Sequence, residues 1–179
     1  MSNQDNVVNR SDKPVLEKKQ TTLGLYVTAQ RAYEMWQADP ESVKVVDVRT
    51  PEEYYFVGHA AMARNIPVGF VRYQWNADKN EPVFVPGSEF ISSIKGQYSV
   101  DDTLLLICRS GGRSALAVNA LAQAGFENIY NIIDGMEGDL VKDPDSAYDG
   151  KRMINGWKNS GCPWTYDVNP ELLWISVDE

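Results

Sequence analysis

The chain has 179 residues, 43% of them apolar and 23% charged, with a formal net charge of -8, which is room for one substantial hydrophobic core or at most two small ones. The acidic balance argues against a general nucleic-acid surface, because phosphate binding needs clustered Lys and Arg; it leaves open a local pocket for a small anion. No run approaches 18 consecutive apolar residues, which excludes a membrane-spanning helix, and two cysteines with one histidine are too few for a disulfide scaffold or a structural zinc site, so no metal is expected.

Residues 1–20 are polar and mixed in charge and read as a flexible tail. They lack the apolar centre of a secretory signal, so a cytoplasmic or periplasmic protein is expected. In LYVTAQRAYEMWQADP, Thr28 caps a helix whose buried stripe takes in Ala29, Ala32, Tyr33 and Trp36, and Asp39 with Pro40 stops it. VKVVDV is an almost continuous apolar run, the pattern of a strand covered on both faces. Pro51 opens a short helix at its favoured first-turn position, and residues 63–68 form another short strand. Residues 69–87, rich in aromatics, Asn, Asp and Pro, read as an irregular excursion with room for a hairpin, either lining a site or covering the sheet.

Ser88 is placed to cap the helix EFISSIKGQ, Asp101 and Asp102 supply a turn, and residues 103–107 (TLLLI) form a strand. A helix from about Ser114 to Ala124 presents Leu116, Ala117, Ala120, Leu121 and Ala124 at helical spacing, and Gly125 ends it. Residues 128–133 form the last clear strand, 134–150 a loop, and KRMINGWKNSGCPW a short helix ending at Gly161 with Trp157 and Trp164 as packing anchors. Strands alternate with crossovers long enough to make them parallel, so the expected fold is a three-layer α/β domain.

Between TLLLI and the helix lies CRSGGRS, residues 108–114. A cysteine at the end of a strand, with glycines that let the backbone approach closely and a helix start that offers unpaired N–H groups, makes an anion cradle. Arg109 and Arg113 add positive charge; on a tight loop one is free to bind an anion while the other braces the rim. Such surroundings favour a thiolate and suit covalent catalysis on sulfur. The plainer reading is a strand-to-helix turn with Cys108 as a small buried apolar residue. The spacing disfavours phosphate-ester cleavage: the phosphate-clasping arginine of such loops stands where this chain has Ser114, and no acidic residue lies within the loop.

CRSGGRS resembles the active-site loop of the rhodanese family, through Cys108, Gly111 and Arg113. The resemblance continues in VVDVRTPEEYYFVGHAAMARNIPV through Asp47, Val48, Arg49, Glu53, Gly58, His59, Asn65 and Pro67, and in NIIDGMEG and INGWKNSGCPW, so it spans about residues 24–165. It implies a rhodanese-like three-layer α/β domain over residues 21–168, with a central, mostly parallel five-stranded sheet flanked by helices, and a C-terminal extension over 169–179. It also implies a sulfurtransferase. Thiosulfate or another sulfane-sulfur donor would bind the loop, with Cys108 as nucleophile and Arg109, Ser110, Gly111, Gly112, Arg113 and Ser114 as substrate-binding residues. The Cys108 persulfide would pass sulfur to cyanide, a small thiol or a protein thiol, with no cofactor beyond that covalent intermediate.

The same resemblance implies that Asp47 and Arg49 form a structural ion pair, and His59 fits a backbone-tethering role better than that of a base. The usual Gly-His-Ile-Pro-Gly-Ala is Gly-His-Ala-Ala-Met-Ala here. Insertions near 69–87 and 138–152 exceed a minimal domain and are placed to narrow access or to dock a protein donor; Tyr73, Trp75 and Phe84 are placed either to shield a persulfide or to pack the flap. Cys162 reads as a buried apolar substitute or, in a thiol-dependent reductase, as a resolving cysteine. A phosphatase-like enzyme and a non-turnover sulfur carrier or binding module are the remaining alternatives.

Overall fold

The computed structural model describes residues 14–175; residues 1–13 of the expected tail and residues 176–179 of the C-terminal extension lie outside the described residues. In chain order the elements are β1 (Tyr26–Val27), α1 (Ala29–Ala38), β2 (Val43–Asp47), α2 (Pro51–Phe56), β3 (His59–Ala60), β4 (Arg64–Asn65), β5 (Gly69–Asn76), β6 (Glu81–Pro86), α3 (Phe90–Gln97), β7 (Thr103–Ile107), α4 (Gly112–Gln123), β8 (Ile129–Ile132) and β9 (Trp164–Thr165), with short 3-10 turns at Glu17–Lys19 and Pro170–Leu172. Five strands form the central sheet in the order β1-β8-β7-β2-β4, every neighbour pair parallel. This is the expected three-layer α/β architecture.

Side-chain alternation along the central strands builds two cores. From β2, β7 and the residue that follows each, Val46, Val48, Leu104, Leu106 and Cys108 enter one core with Phe90 and Ile94 of α3 and Ala117, Val118 and Leu121 of α4. Val43, Val45, Leu105 and Ile107 enter the other with Ala29 and Ala32 of α1, Met136, Trp157 and Cys162. Both faces of β7 are therefore covered, which is why its sequence is apolar without a polar alternate. Each fully buried leucine there contributes about 2 kcal/mol.

Local chemistry sets the helix starts. The Thr28 hydroxyl accepts from the Arg31 N–H at 3.2 Å, and Thr50 forms a capping box with Glu53 ahead of Pro51. Ser88 does not cap α3: Glu89 takes that place with no side-chain cap bond, because a turn in which the Phe90 N–H donates to the Gly87 carbonyl delays the helix by one residue. α4 starts at Gly112 rather than Ser114, and its buried face is Ser114, Ala115, Ala117, Val118 and Leu121. Leu116, expected inside, is exposed: with Ser114, Val118 and Leu121 turned to the core, helical periodicity puts it on the opposite face.

The excursion 69–87 takes the hairpin form for which its sequence leaves room, an antiparallel pair of β5 and β6, while its aromatics and two other segments depart from expectation. Tyr73 and Trp75 on it are exposed, so neither shields the cysteine nor packs the flap, while Phe84 packs against the first core. KRMINGWKNSGCPW forms turns and no helix, because its backbone donors are committed elsewhere: Gly156 N–H to Asp134 Oδ2, Trp157 N–H to the Gly135 carbonyl and Lys158 N–H to the Met136 carbonyl. Trp157 is buried as expected, but Trp164 is partly exposed, pairs in β9 with β3 and carries Lys158 Nζ 4.0 Å from its ring centroid. The end of the expected tail is seated: Lys19 is buried, its Nζ donating to the Ile133 carbonyl and to Asp139 Oδ1 at 2.8 Å each. No helix among the described residues is long and apolar enough to cross a membrane.

A candidate active site at the end of the central strand

β7 ends at Ile107, so Cys108 leaves the sheet at its C-terminal edge, where the loop to α4 turns back. Cys108 is 1% exposed and belongs to the first core, yet its sulfur is not sealed in hydrocarbon. The Gly111 N–H donates to Sγ at 3.2 Å and the Ser114 hydroxyl stands 3.2 Å from it. The loop is short because α4 begins at Gly112, and the first-turn N–H groups of α4 lack intrahelical partners.

Two glycines make this turn possible. Gly111 caps α4 at φ 95°, and a Cβ there would run into the Ile133 carbonyl. Gly135, at φ 63°, lets residues 135–138 run against the loop, where a Cβ would stand 2.6 Å from the Arg109 carbonyl. That contact is held by backbone bonds from Met136 N–H to the Cys108 carbonyl at 2.8 Å and from Glu137 N–H to the Arg109 carbonyl at 3.0 Å.

The two loop arginines have different surroundings. Arg113 makes a two-pronged bond to Glu53, Nη1 to Oε2 and Nη2 to Oε1, both at 2.6 Å. Burial works against its charge, but the Glu53 bonds outweigh it and raise its pKa. Burial likewise opposes the Glu53 carboxylate, which the Arg113 bonds nevertheless hold below the usual carboxylate range. Arg113 thus braces the loop against α2. Arg109 is exposed. Ser110 and Gly112, the other expected anion-binding positions, sit on the loop and at the start of α4, both half-buried.

Asn131 of β8 supports the loop from below. Its Nδ2 donates to the Gly111 and Lys19 carbonyls at 3.0 Å each, which turns Oδ1 toward the Ser114 hydroxyl at 2.6 Å. The hydroxyl has one proton and two neighbours, Oδ1 and the Cys108 sulfur.

Asp47 and Arg49 form a fully buried ion pair, Nη2 to Oδ2 at 2.6 Å, and Nη2 also donates to the Gly58 carbonyl at 2.8 Å. Burial lowers the tendency of Arg49 to hold its proton, but Asp47 overrides this and its pKa is raised. His59 is buried, its Nδ1 2.9 Å from the Tyr54 carbonyl and its ring stacked on Tyr54 at 3.6 Å. Cys162 lies in the second core, on the opposite face of the sheet from the core that Cys108 joins. Burial, with the Asp134 and Glu34 charges adding to it, pushes its thiol up to about 11. A pocket of about 190 Å³ near Phe70, Phe90 and Trp174 contains none of the loop residues, so it is no part of this site.

Sequence reasoning named Glu53 through the resemblance but gave it no partner, and it passed over two further contributors. Asn131 was the lone amide in the strand IYNI, a pattern that marks a buried polar group with a task. Lys19 gave no signal. Among the described residues no group of three His, Cys, Asp or Glu side chains is arranged to hold a metal ion.

Comparison with known proteins bears on residues 28–140, which match the family described as the rhodanese-like domain. An uncharacterized protein of Rickettsia conorii is 29% identical over 140 residues, covering 78% of this chain and 96% of its own length. Thiosulfate sulfurtransferase 16, chloroplastic, of Arabidopsis thaliana is 34% identical over 92 residues, 51% of this chain and 69% of that protein. The crystal structure of Rv0390 from M. tuberculosis superposes with a TM-score of 0.60 at 27% identity, over 78% of this chain and 96% of the other.

Proposed function

Because the chain belongs to the rhodanese-like domain family, a family that supports sulfurtransferase-type activity in general, we propose that it is a thiosulfate sulfurtransferase working through a persulfide on Cys108. The observation that carries this reading is the Cys108 sulfur facing the Gly111 N–H and the Ser114 hydroxyl in a loop closed by the start of α4. The similarity to a plant thiosulfate sulfurtransferase supports the choice of donor.

In the proposed reaction the Cys108 thiolate attacks the outer sulfur of thiosulfate. A sulfur–sulfur bond forms at Cys108 as that of thiosulfate breaks, and sulfite leaves with the bonding pair. The terminal sulfur keeps one negative charge, which the free N–H groups at the start of α4 would stabilise. Cyanide or a thiolate then attacks that sulfur, leaving as thiocyanate or as a new persulfide and restoring the Cys108 thiolate. No cofactor enters. A small donor suits a cysteine that is 1% exposed. The placement of Cys162 in the other core gives a resolving-cysteine mechanism no support.

Incubating the reduced protein with thiosulfate is expected to add one sulfur atom per chain by intact-mass spectrometry, mapped to the Cys108 peptide and removed by cyanide. Absence of the adduct overturns the reading; an adduct that transfers to a protein thiol but to neither cyanide nor small thiols points to a sulfur carrier instead. Gly111→Ala is expected to slow thiosulfate turnover by at least about tenfold, since a side chain at positive φ there costs on the order of 1–3 kcal/mol and shifts the one amide that meets the sulfur. Turnover is read as thiocyanate formation beside a circular-dichroism check of the fold.

A further inference from the structure

We propose that Arg152, carried to the loop by the segment 138–152, joins Arg109 to form an anion-receiving mouth over Cys108 that selects negatively charged reactants; the inference rests on the sulfurtransferase reading for its substrate. The placement is geometric. Arg152 Nη1 donates to the Gly138 carbonyl at 2.7 Å, and the Gly138 N–H donates in turn to the Arg109 carbonyl at 3.3 Å. The Arg152 backbone is fixed by its bridge to Leu140 and by Asn159 Nδ2, which donates to its carbonyl at 3.2 Å. The guanidinium therefore hangs from a residue that is itself bonded to the active-site loop.

Charge pairing sets these two apart from the other arginines of the site. Arg49 is matched by Asp47, Arg113 by Glu53 and Lys19 by Asp139. Among the described residues no carboxylate stands within ion-pairing distance of Arg109 or Arg152. The Arg152 pKa is lowered, first by burial and then by the Arg109 charge, while Glu137, Asp139 and Cys108 act in the opposite direction. Two guanidiniums without a carboxylate partner thus belong to the Cys108 loop and to the segment bonded to it, in a protein whose net charge is -8. An anion entering there meets positive charge that no ion pair cancels. Thiosulfate is a dianion and the attacking sulfur is itself negative, so their encounter gathers like charge that Arg113, already neutralised by Glu53, is poorly placed to offset. Arg152 is accordingly a positioning residue for the reactant and not a participant in bond making.

The test is alkylation of Cys108 in the full-length protein by iodoacetate and by uncharged iodoacetamide, with the site assigned by peptide mass, in wild type, Arg152→Gln and Arg152→Lys. In both reagents the thiolate displaces iodide and forms a carbon–sulfur bond, so reagent charge is the difference that matters. Arg152→Gln is expected to slow iodoacetate by about tenfold and leave iodoacetamide within about twofold, with Arg152→Lys restoring most of the rate and added salt shrinking the wild-type preference. In steady state the same variant raises KM for thiosulfate and leaves kcat near wild type. Equal slowing of both reagents, or no change in either, overturns the inference. A wild type that shows the charge preference but gains no sulfur from thiosulfate overturns the proposed donor and leaves the anion mouth standing, so the two failures are told apart.

Discussion

Cys108→Ser is expected to abolish sulfur transfer, with thiocyanate formation falling about a thousandfold or more and no sulfur adduct on incubation with thiosulfate. The substitution changes one atom in a site whose neighbours accommodate either. The Gly111 N–H and the Ser114 hydroxyl, each 3.2 Å from the sulfur, can hydrogen-bond to an oxygen as well, so the fold and the loop are expected to survive. What is lost is chemistry: a serine hydroxyl does not ionise near neutral pH, and oxygen forms no stable analogue of the persulfide. His59, the chain's only histidine, offers no compensating base, being buried and engaged with the Tyr54 carbonyl and ring. Cyanide-dependent activity in the variant above one-hundredth of wild type would sink Cys108 as the sulfur carrier. An adduct retained on the variant and mapped to Cys162 would do the same.

The second large effect is on stability. Asp47→Asn is expected to cost about 3–5 kcal/mol and to lower Tm by roughly 10 °C, because it leaves the Arg49 guanidinium charged, without its counter-ion and out of reach of water. Both side chains are fully buried, and Asp47 takes bonds from Arg49 Nε, Nη2 and backbone N–H. Arg49 also fastens the Gly58 carbonyl, so the link reaches the turn that positions His59 and β3. The companion variant Asp47→Leu with Arg49→Met, which removes both charges, is expected to be less damaged than Asp47→Asn in thermal unfolding. If the double variant is the less stable of the two, the cost lies in lost packing and not in the stranded charge. Sulfur transfer in whatever fraction of Asp47→Asn remains folded is expected to be close to normal, since neither residue touches Cys108.

Several parts of the molecule were decided within a few residues of chain. The apolar runs VKVVDV and TLLLI, too short and too continuous for an amphipathic helix, determined two inner strands covered on both sides. Thr28 and Thr50 determined two helix starts, since a hydroxyl next to free N–H groups needs no distant partner. The order of strands and crossovers determined a parallel sheet, and CRSGGRS at the end of a strand determined a tight strand-to-helix loop carrying Cys108. The hairpin at 69–87 escaped a firm reading because its two strands are separated by a turn in which only Asn80 takes a positive φ, without the Asn-Gly or Asp-Gly signal that marks tight hairpins.

Tertiary structure alone decided the rest, for one physical reason: these features depend on groups far apart in sequence meeting in space. Residues 151–164 carry a helix-like spacing, but their amides are claimed by the 134–136 loop, and a donor spent there cannot serve an i to i-4 ladder. Arg113 and Arg109 are alike in sequence; only the arrival of Glu53 from α2, 60 positions away, makes the first a brace and leaves the second exposed. Lys19 looked like part of a tail until Asp139 and the Ile133 carbonyl gave its ammonium partners within the fold. Cys162 is separated from Cys108 by the thickness of a sheet, because alternate side chains of β7 face different cores. Short-range chemistry wrote the elements and the position of Cys108, and long-range packing chose which charges near it are paired.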